Sequence, residues 1–113
     1  FHAFYWSRKP FNCNGNQITG TCDLGVLAGD SVSEALGVND HGQVVGVSYP
    51  SGHAFIWQNG LMSDLNTLLA PGTTLVLTDA QDINDQGEIT GQAYDSNTGT
   101  TVAFKALPTD TRH

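Results

Sequence analysis

The chain repeats itself, and that restricts its fold more than any other feature. Asn39-Asp40-His41-Gly42-Gln43-Val44-Val45-Gly46 returns as Asn84-Asp85-Gln86-Gly87-Glu88-Ile89-Thr90-Gly91, and His2-Ala3-Phe4-Tyr5-Trp6 returns as His53-Ala54-Phe55-Ile56-Trp57. A unit that recurs every 40 to 50 residues or so is a supersecondary element that buries its apolar face against its neighbours. Gly42 and Gly87, like Gly46 and Gly91, stand 45 apart; Phe4 and Phe55 stand 51 apart, and Asp23-Leu24 and Asp64-Leu65 stand 41 apart. The spread marks insertions between copies, chiefly in residues 7–22, where the second copy has only the short turn Gln58-Asn59-Gly60.

Each copy reads as four short antiparallel strands. Glu34 to Val38 alternates and runs into Asn39-Asp40-His41-Gly42, whose Asn, Asp and Gly are expected to supply the positive-φ positions of a tight hairpin; Gln43 to Tyr49 returns as a β-branched strand. His53 to Trp57 forms a third strand, Asn59-Gly60 a second hairpin turn, and Leu61 to Leu69 a fourth strand. The next copy starts near Thr74, with Leu75, Leu77, Asp79 and Gln81 alternating against Val76, Thr78, Ala80 and Asp82, and turns at Asn84 to Gly87. Apolar spacing is two almost everywhere, and the thirteen glycines fall in short clusters, so no useful helix is expected. The expected class is all-β, about nine strands in one domain spanning 1–113. Because the chain opens and closes at the third-strand position, at His2-Ala3-Phe4 and Val102-Ala103-Phe104, it is permuted relative to its own repeat.

These residues resemble the HAF-type extracellular repeat: His-Ala-Phe-x-Trp, a polar Asn-Gly turn, Asp-Leu-x-x-Leu, and Gly-Ile-Asn-x-x-Gly-x-Val-x-Gly between copies. His53 to Trp57, Asn59-Gly60, Asp64-Leu65, Leu68 and Gly37 to Gly46 carry the pattern, and Ile83 to Gly91 carries it again. The resemblance covers nearly the whole chain outside Ser7 to Cys22. It implies blades of a propeller-like fold in exported, often surface-associated bacterial proteins. The first copy departs in lacking the Asn-Gly turn and in carrying cysteines; the last has Val102 for His and Lys105-Ala106 for the x-Trp. Two full copies are too few to close a propeller, which takes four to eight blades. Completion is therefore expected from a homo-oligomer sharing strands, as a ring or filament, or from the remainder of a longer protein.

The net charge of −7, from eleven acidic against four basic residues, argues against nucleic acid as a partner. No apolar stretch approaches the ~18 residues of a spanning helix. The opening on Phe1 instead of Met, with no leader, reads as a processed or excised piece of something longer. Cys13 and Cys22 enclose a run of turn formers able to fold back, which favours a disulfide and a secreted or cell-surface location over two free thiols in a cytosolic protein.

Among candidate sites, Trp6, Trp57 and Tyr5, with Phe4 and Phe55, have the chemistry of sugar stacking, although their repetition equally suits packing between blades. His2 and His53 sit at equivalent positions, where a shared metal site competes with simple pairing to the repeated Asp23 and Asp64. Asp82, Asn84 and Asp85 come closest to a calcium loop but fall short of its alternating oxygens, so no cofactor is expected and calcium is the one ion left open. The repeat-defining turn residues Asn39, Gly42, Asn84 and Gly87 need no ion, since a turn Asn or Asp accepts its own backbone amides. No nucleophile motif, phosphate loop or distinctive carboxylate pair points to an enzyme. The expected function is an exported structural or adhesive surface protein that self-associates through β-strands; a lectin-like carbohydrate-binding module is the alternative, and a glycan-active enzyme the third.

Overall fold

A computed structural model describes residues 1–69 and 71–108. Nine strands form three antiparallel sheets in chain order. The first sheet pairs β1 (Ala3–Cys13) with β2 (Asn16–Gly25). The second is a four-stranded meander of β3 (Val32–Val38), β4 (Val44–Tyr49), β5 (His53–Gln58) and β6 (Leu61–Asp64). The third comprises β7 (Leu75–Ile83), β8 (Ile89–Asp95) and β9 (Thr100–Ala106). The ladder pairs Val44 with Trp57 in the second sheet and Ile89 with Ala106 in the third, so β8 and β9 occupy the positions of β4 and β5. By the same alignment β1 and β2 match the third and fourth strands of a unit, and among the described residues no strands take that unit's first two positions or the fourth position of the third sheet. The three sheets do not close into a ring.

Side-chain alternation sorts the apolar residues onto two interfaces. Phe55, Trp57 and Val44 point from the second sheet to the first, where Ala3, Cys22 and Leu24 meet them. Val45, Ala54 and Ile56 point the other way, onto Leu77, Ala80, Ile83, Ile89 and Ala93 of the third. Gly46 and Gly91 recur because a β-carbon at either would run into the carbonyl oxygen of the paired strand, Glu34 and Asp79 respectively.

Local departures from the sequence reading have local causes. In β7 the buried residues are Leu77, Ala80 and Ile83, every third residue, because bulges at Leu77/Asp79 and Ala80/Asp82 reset the alternation twice. The strand expected over Leu61 to Leu69 stops at Asp64, and Leu65–Leu68 is a 3-10 turn. Asp64 caps it: its Oδ1 accepts the Asn66 amide at 2.9 Å, while Thr67 Oγ1 donates to the Asp64 carbonyl at 2.7 Å. In the hairpins at Asn39 to Gly42 and Asn84 to Gly87 only the glycines take positive φ, 74° and 82°. Asn39 instead accepts the amides of His41 and Gln43 through Oδ1, and Asn84 treats Gln86 and Glu88 alike.

The first copy does have its Asn-Gly turn. Asn14-Gly15 joins β1 to β2 with φ of 52° and 101°, matching Asn59-Gly60 at 52° and 80°. The extra residues lengthen the hairpin on either side of that turn. A register shift between Ser7 and Phe11 bends it, and the Cys13–Cys22 disulfide, with Cα atoms 5.8 Å apart, ties the tip back towards its base.

Candidate functional site

Two regions differ from what the repeat prescribes, the outward face of the first sheet and the cleft between the second and third. Phe4 and Trp6 occupy the strand positions of Phe55 and Trp57. Phe55 and Trp57 are 0% and 2% exposed, whereas Phe4 and Trp6 are 64% and 58% exposed, since no sheet lies against that face among the described residues. The neighbouring edge of β1 is unpaired, and beside it a cleft of about 310 Å³ is lined by Tyr5, Trp6, Leu36, Val38 and Val44. Val38 is 56% exposed, while Ile83, its counterpart one unit on, is 4% exposed. The difference follows from the unfilled positions: the second sheet covers Ile83, and a second strand beside β1 would cover Val38.

The far side of the third sheet is unlike this. Its outward positions are Thr90, Gln92, Ala103 and Lys105, all exposed, where the second sheet has the buried Val45, Val47, Ala54 and Ile56. One end of the stack is thus apolar with an open edge, and the other carries polar outer residues like those of a capping repeat.

The sequence candidates are dispersed. Trp57 lies in the core, its ring 5.7 Å from Tyr5 and 6.4 Å from Phe11, and its Nε1 donates to Asn14 Oδ1 at 3.4 Å. Of the two expectations for Trp57, sugar stacking and packing between sheets, its 2% exposure accords with packing. Tyr5 is half-buried, edge-on to Phe11 at 4.9 Å, leaving Trp6 alone of the three free to stack.

His2 Nδ1 donates to Asp23 Oδ1 at 3.0 Å and His53 Nδ1 to Asp64 Oδ2 at 2.8 Å, a repeated pairing that engages one nitrogen of each ring. Asp23 is held below its ordinary pKa chiefly by the Gly25 amide; desolvation, the next influence in size, works upward, and the His2 hydrogen bond adds to the lowering. For Asp64 burial is the largest influence and works upward, but the hydrogen bonds from His53 and Asn66 outweigh it, so the carboxyl titrates below the usual range.

Asp82 Oδ1 accepts the Ile83 amide, Asn84 Oδ1 is taken by its own turn, and Asp85 Oδ1 accepts the Asp40 amide at 2.8 Å, which lowers the Asp85 pKa. The three face different partners, and among the described residues no cluster of three or more His, Cys, Asp or Glu gathers at metal-ligand distance. Together with Asn39 Nδ2 donating to the Asn84 carbonyl at 2.9 Å, the Asp40–Asp85 contact stacks the turns of the second and third sheets.

Among the described residues no helix is long and apolar enough to cross a membrane. Comparison with known proteins returns no matching family model, no matching curated protein and no matching solved structure.

Proposed function

We propose that this protein is an exported structural or adhesive surface module of the HAF-repeat type, joining other β-repeat units by accepting strands at the open edge of β1. The observation that carries this reading is the contrast between two identical motifs: Phe-x-Trp is buried in β5 and exposed in β1 beside an unfilled strand position. The second and third sheets fill the corresponding position with β4 and β8, and each places Gly, Gly46 or Gly91, opposite the phenylalanine of the third strand, Phe55 or Phe104. A hairpin presenting apolar-Gly-apolar residues in that register would pair with β1 and cover Val38 and Leu36. The disulfide accords with an oxidising compartment.

The unequal ends favour a one-ended contact over the expected ring or filament, because head-to-tail growth would set Phe4 and Trp6 against Gln92 and Lys105. With Trp57 buried, the lectin alternative rests on Trp6 and Phe4 alone.

The test is light scattering on a sizing column, across a concentration range, with and without a peptide spanning residues 31–49, the chain's own β3–β4 hairpin. The expected result is saturable uptake of one peptide per chain, and dimers of the chain alone at high concentration, both lost in a Phe4→Ser, Trp6→Ser double variant. A monomer at every concentration that ignores the peptide would overturn the proposal.

A further inference from the structure

Between the second and third sheets lies a cleft of about 670 Å³, within the range of small-molecule sites. Ile56, Leu65, Leu77, Ile89 and Ala106 form its apolar wall, and Asn59 stands at its rim. The interface between the first and second sheets shows why the described residues leave this space unfilled. There the strand pair Val44–Trp57 puts an indole between the sheets; here the same pair is Ile89–Ala106, and the ring is missing. The fold-back of the β1–β2 hairpin, which brings Phe11 and Asn14 over Trp57, is missing as well, because β5 and β6 meet directly at Asn59-Gly60. What remains is apolar space at the repeat position of a tryptophan side chain, with Ile56 where Tyr5 stands.

We infer that this cleft is a binding site for a small flat aromatic ring system of about the size of indole. The ring would rest on Leu65, Leu77 and Ile89. Apolar space of this kind takes up aromatic rings readily, since its walls gain dispersion contacts that water cannot supply. The sister interface provides the template for the ring position.

The experiment is a titration of the intact protein with indole, followed by carbon–proton spectra of its methyl groups. Shifts concentrated at Ile56, Leu65, Leu77 and Ile89, saturating with a Kd on the order of 0.1–1 mM, are expected for a ligand of this size. Benzofuran, which has the same shape without the N–H, is expected to bind with comparable affinity, and its failure to bind would overturn apolar contact as the basis of the site. Ala106→Trp places the ring from within and is expected to raise Tm and abolish indole binding. No saturable shifts, shifts centred instead on Leu36 and Val38, or undiminished binding by the Ala106→Trp protein would each overturn the site. None of these outcomes bears on strand addition at β1, so the two proposals fail separately.

Discussion

The two outer faces of this three-sheet stack carry matching sequence positions and have opposite surfaces. On the first sheet the pattern's aromatic residues, Phe4 and Trp6, are retained and stand in solvent. On the third, the aliphatic positions of the second sheet have become Thr90, Gln92 and Lys105. A repeat unit therefore has two separable sides, an aromatic one that looks back along the chain and an aliphatic one that looks forward. Polar substitution of one side stops stacking in that direction without affecting the other.

The most forceful way to break the comparison is to truncate the two tryptophans in turn. Trp57→Ala is expected to cost about 3–5 kcal/mol, a loss that chemical denaturation reads directly, because it empties a packed site. Trp6→Ala, at the same repeat position, is expected to change stability by no more than about 0.5 kcal/mol. Comparable losses at both would mean that the first sheet's outer face is covered in solution.

Next in size is the disulfide. Cys13→Ser with Cys22→Ser is expected to destabilise by about 2–3 kcal/mol, from the entropy of a short closed loop, and to red-shift Trp57 emission as the hairpin lifts. A variant that kept the wild-type emission would show that the bent strands hold Asn14 in place unaided.

The polar-for-apolar exchange gives a smaller, paired effect. Val45→Thr should cost about 1–2 kcal/mol by burying a hydroxyl, whereas Thr90→Val should leave stability within about 0.5 kcal/mol, as judged from thermal unfolding. The latter change sharpens the contrast further, because a more aliphatic third sheet is expected to acquire a tendency to associate.

The smallest expected effect is at the repeated His–Asp pair. Asp64 titrates below the usual aspartate value of 3.8 in the folded chain. Its contribution is therefore complete above that value and is lost as the pH falls through the lower folded one, since the unfolded chain binds the proton first. Asp64→Asn should cost about 1 kcal/mol at neutral pH, through the weakened cap and the His53 bond, and should flatten the fall in stability below roughly pH 4.

Much of the architecture was legible, because turn chemistry and period-two spacing are local. Asn59-Gly60 and the glycines of the longer turns announce their hairpins in four or five residues, and the Cys13–Cys22 pairing followed from the turn formers between them. Asn14-Gly15 was equally legible and was missed, since the extra residues on either side concealed that the same turn had moved outward. The cap at Asp64-Leu65-Asn66-Thr67 was visible too, but the alternation of leucines suggested a longer strand. The alternation of β7 misled because bulges depend on the opposing strand, which no window of sequence contains. Least legible was the site. His2 to Trp6 and His53 to Trp57 are nearly the same peptide, and only the presence or absence of a neighbouring sheet decides which tryptophan is core and which is surface. The cleft, by contrast, was written in Lys105-Ala106, a departure from the motif whose consequence appears only once Ile89 is found opposite.

The stacked turns bear on how such a chain can vary. Asn39 and Asp40 are hydrogen-bonded to Asn84 and Asp85, so a residue inserted in either turn would displace two sheets at once. The Asn-Gly hairpins are not bonded turn to turn in this way among the described residues, and the first, hydrogen-bonded to the next unit through Asn14 and the Trp57 ring, has absorbed a long extension. The 45-residue interval between the glycines of the turns acts as the metre of the array, while its other intervals, 51 and 41, drift around it. Variation in length, and with it new chemistry, is thereby directed to one rim of the molecule, leaving the spacing of the sheets untouched.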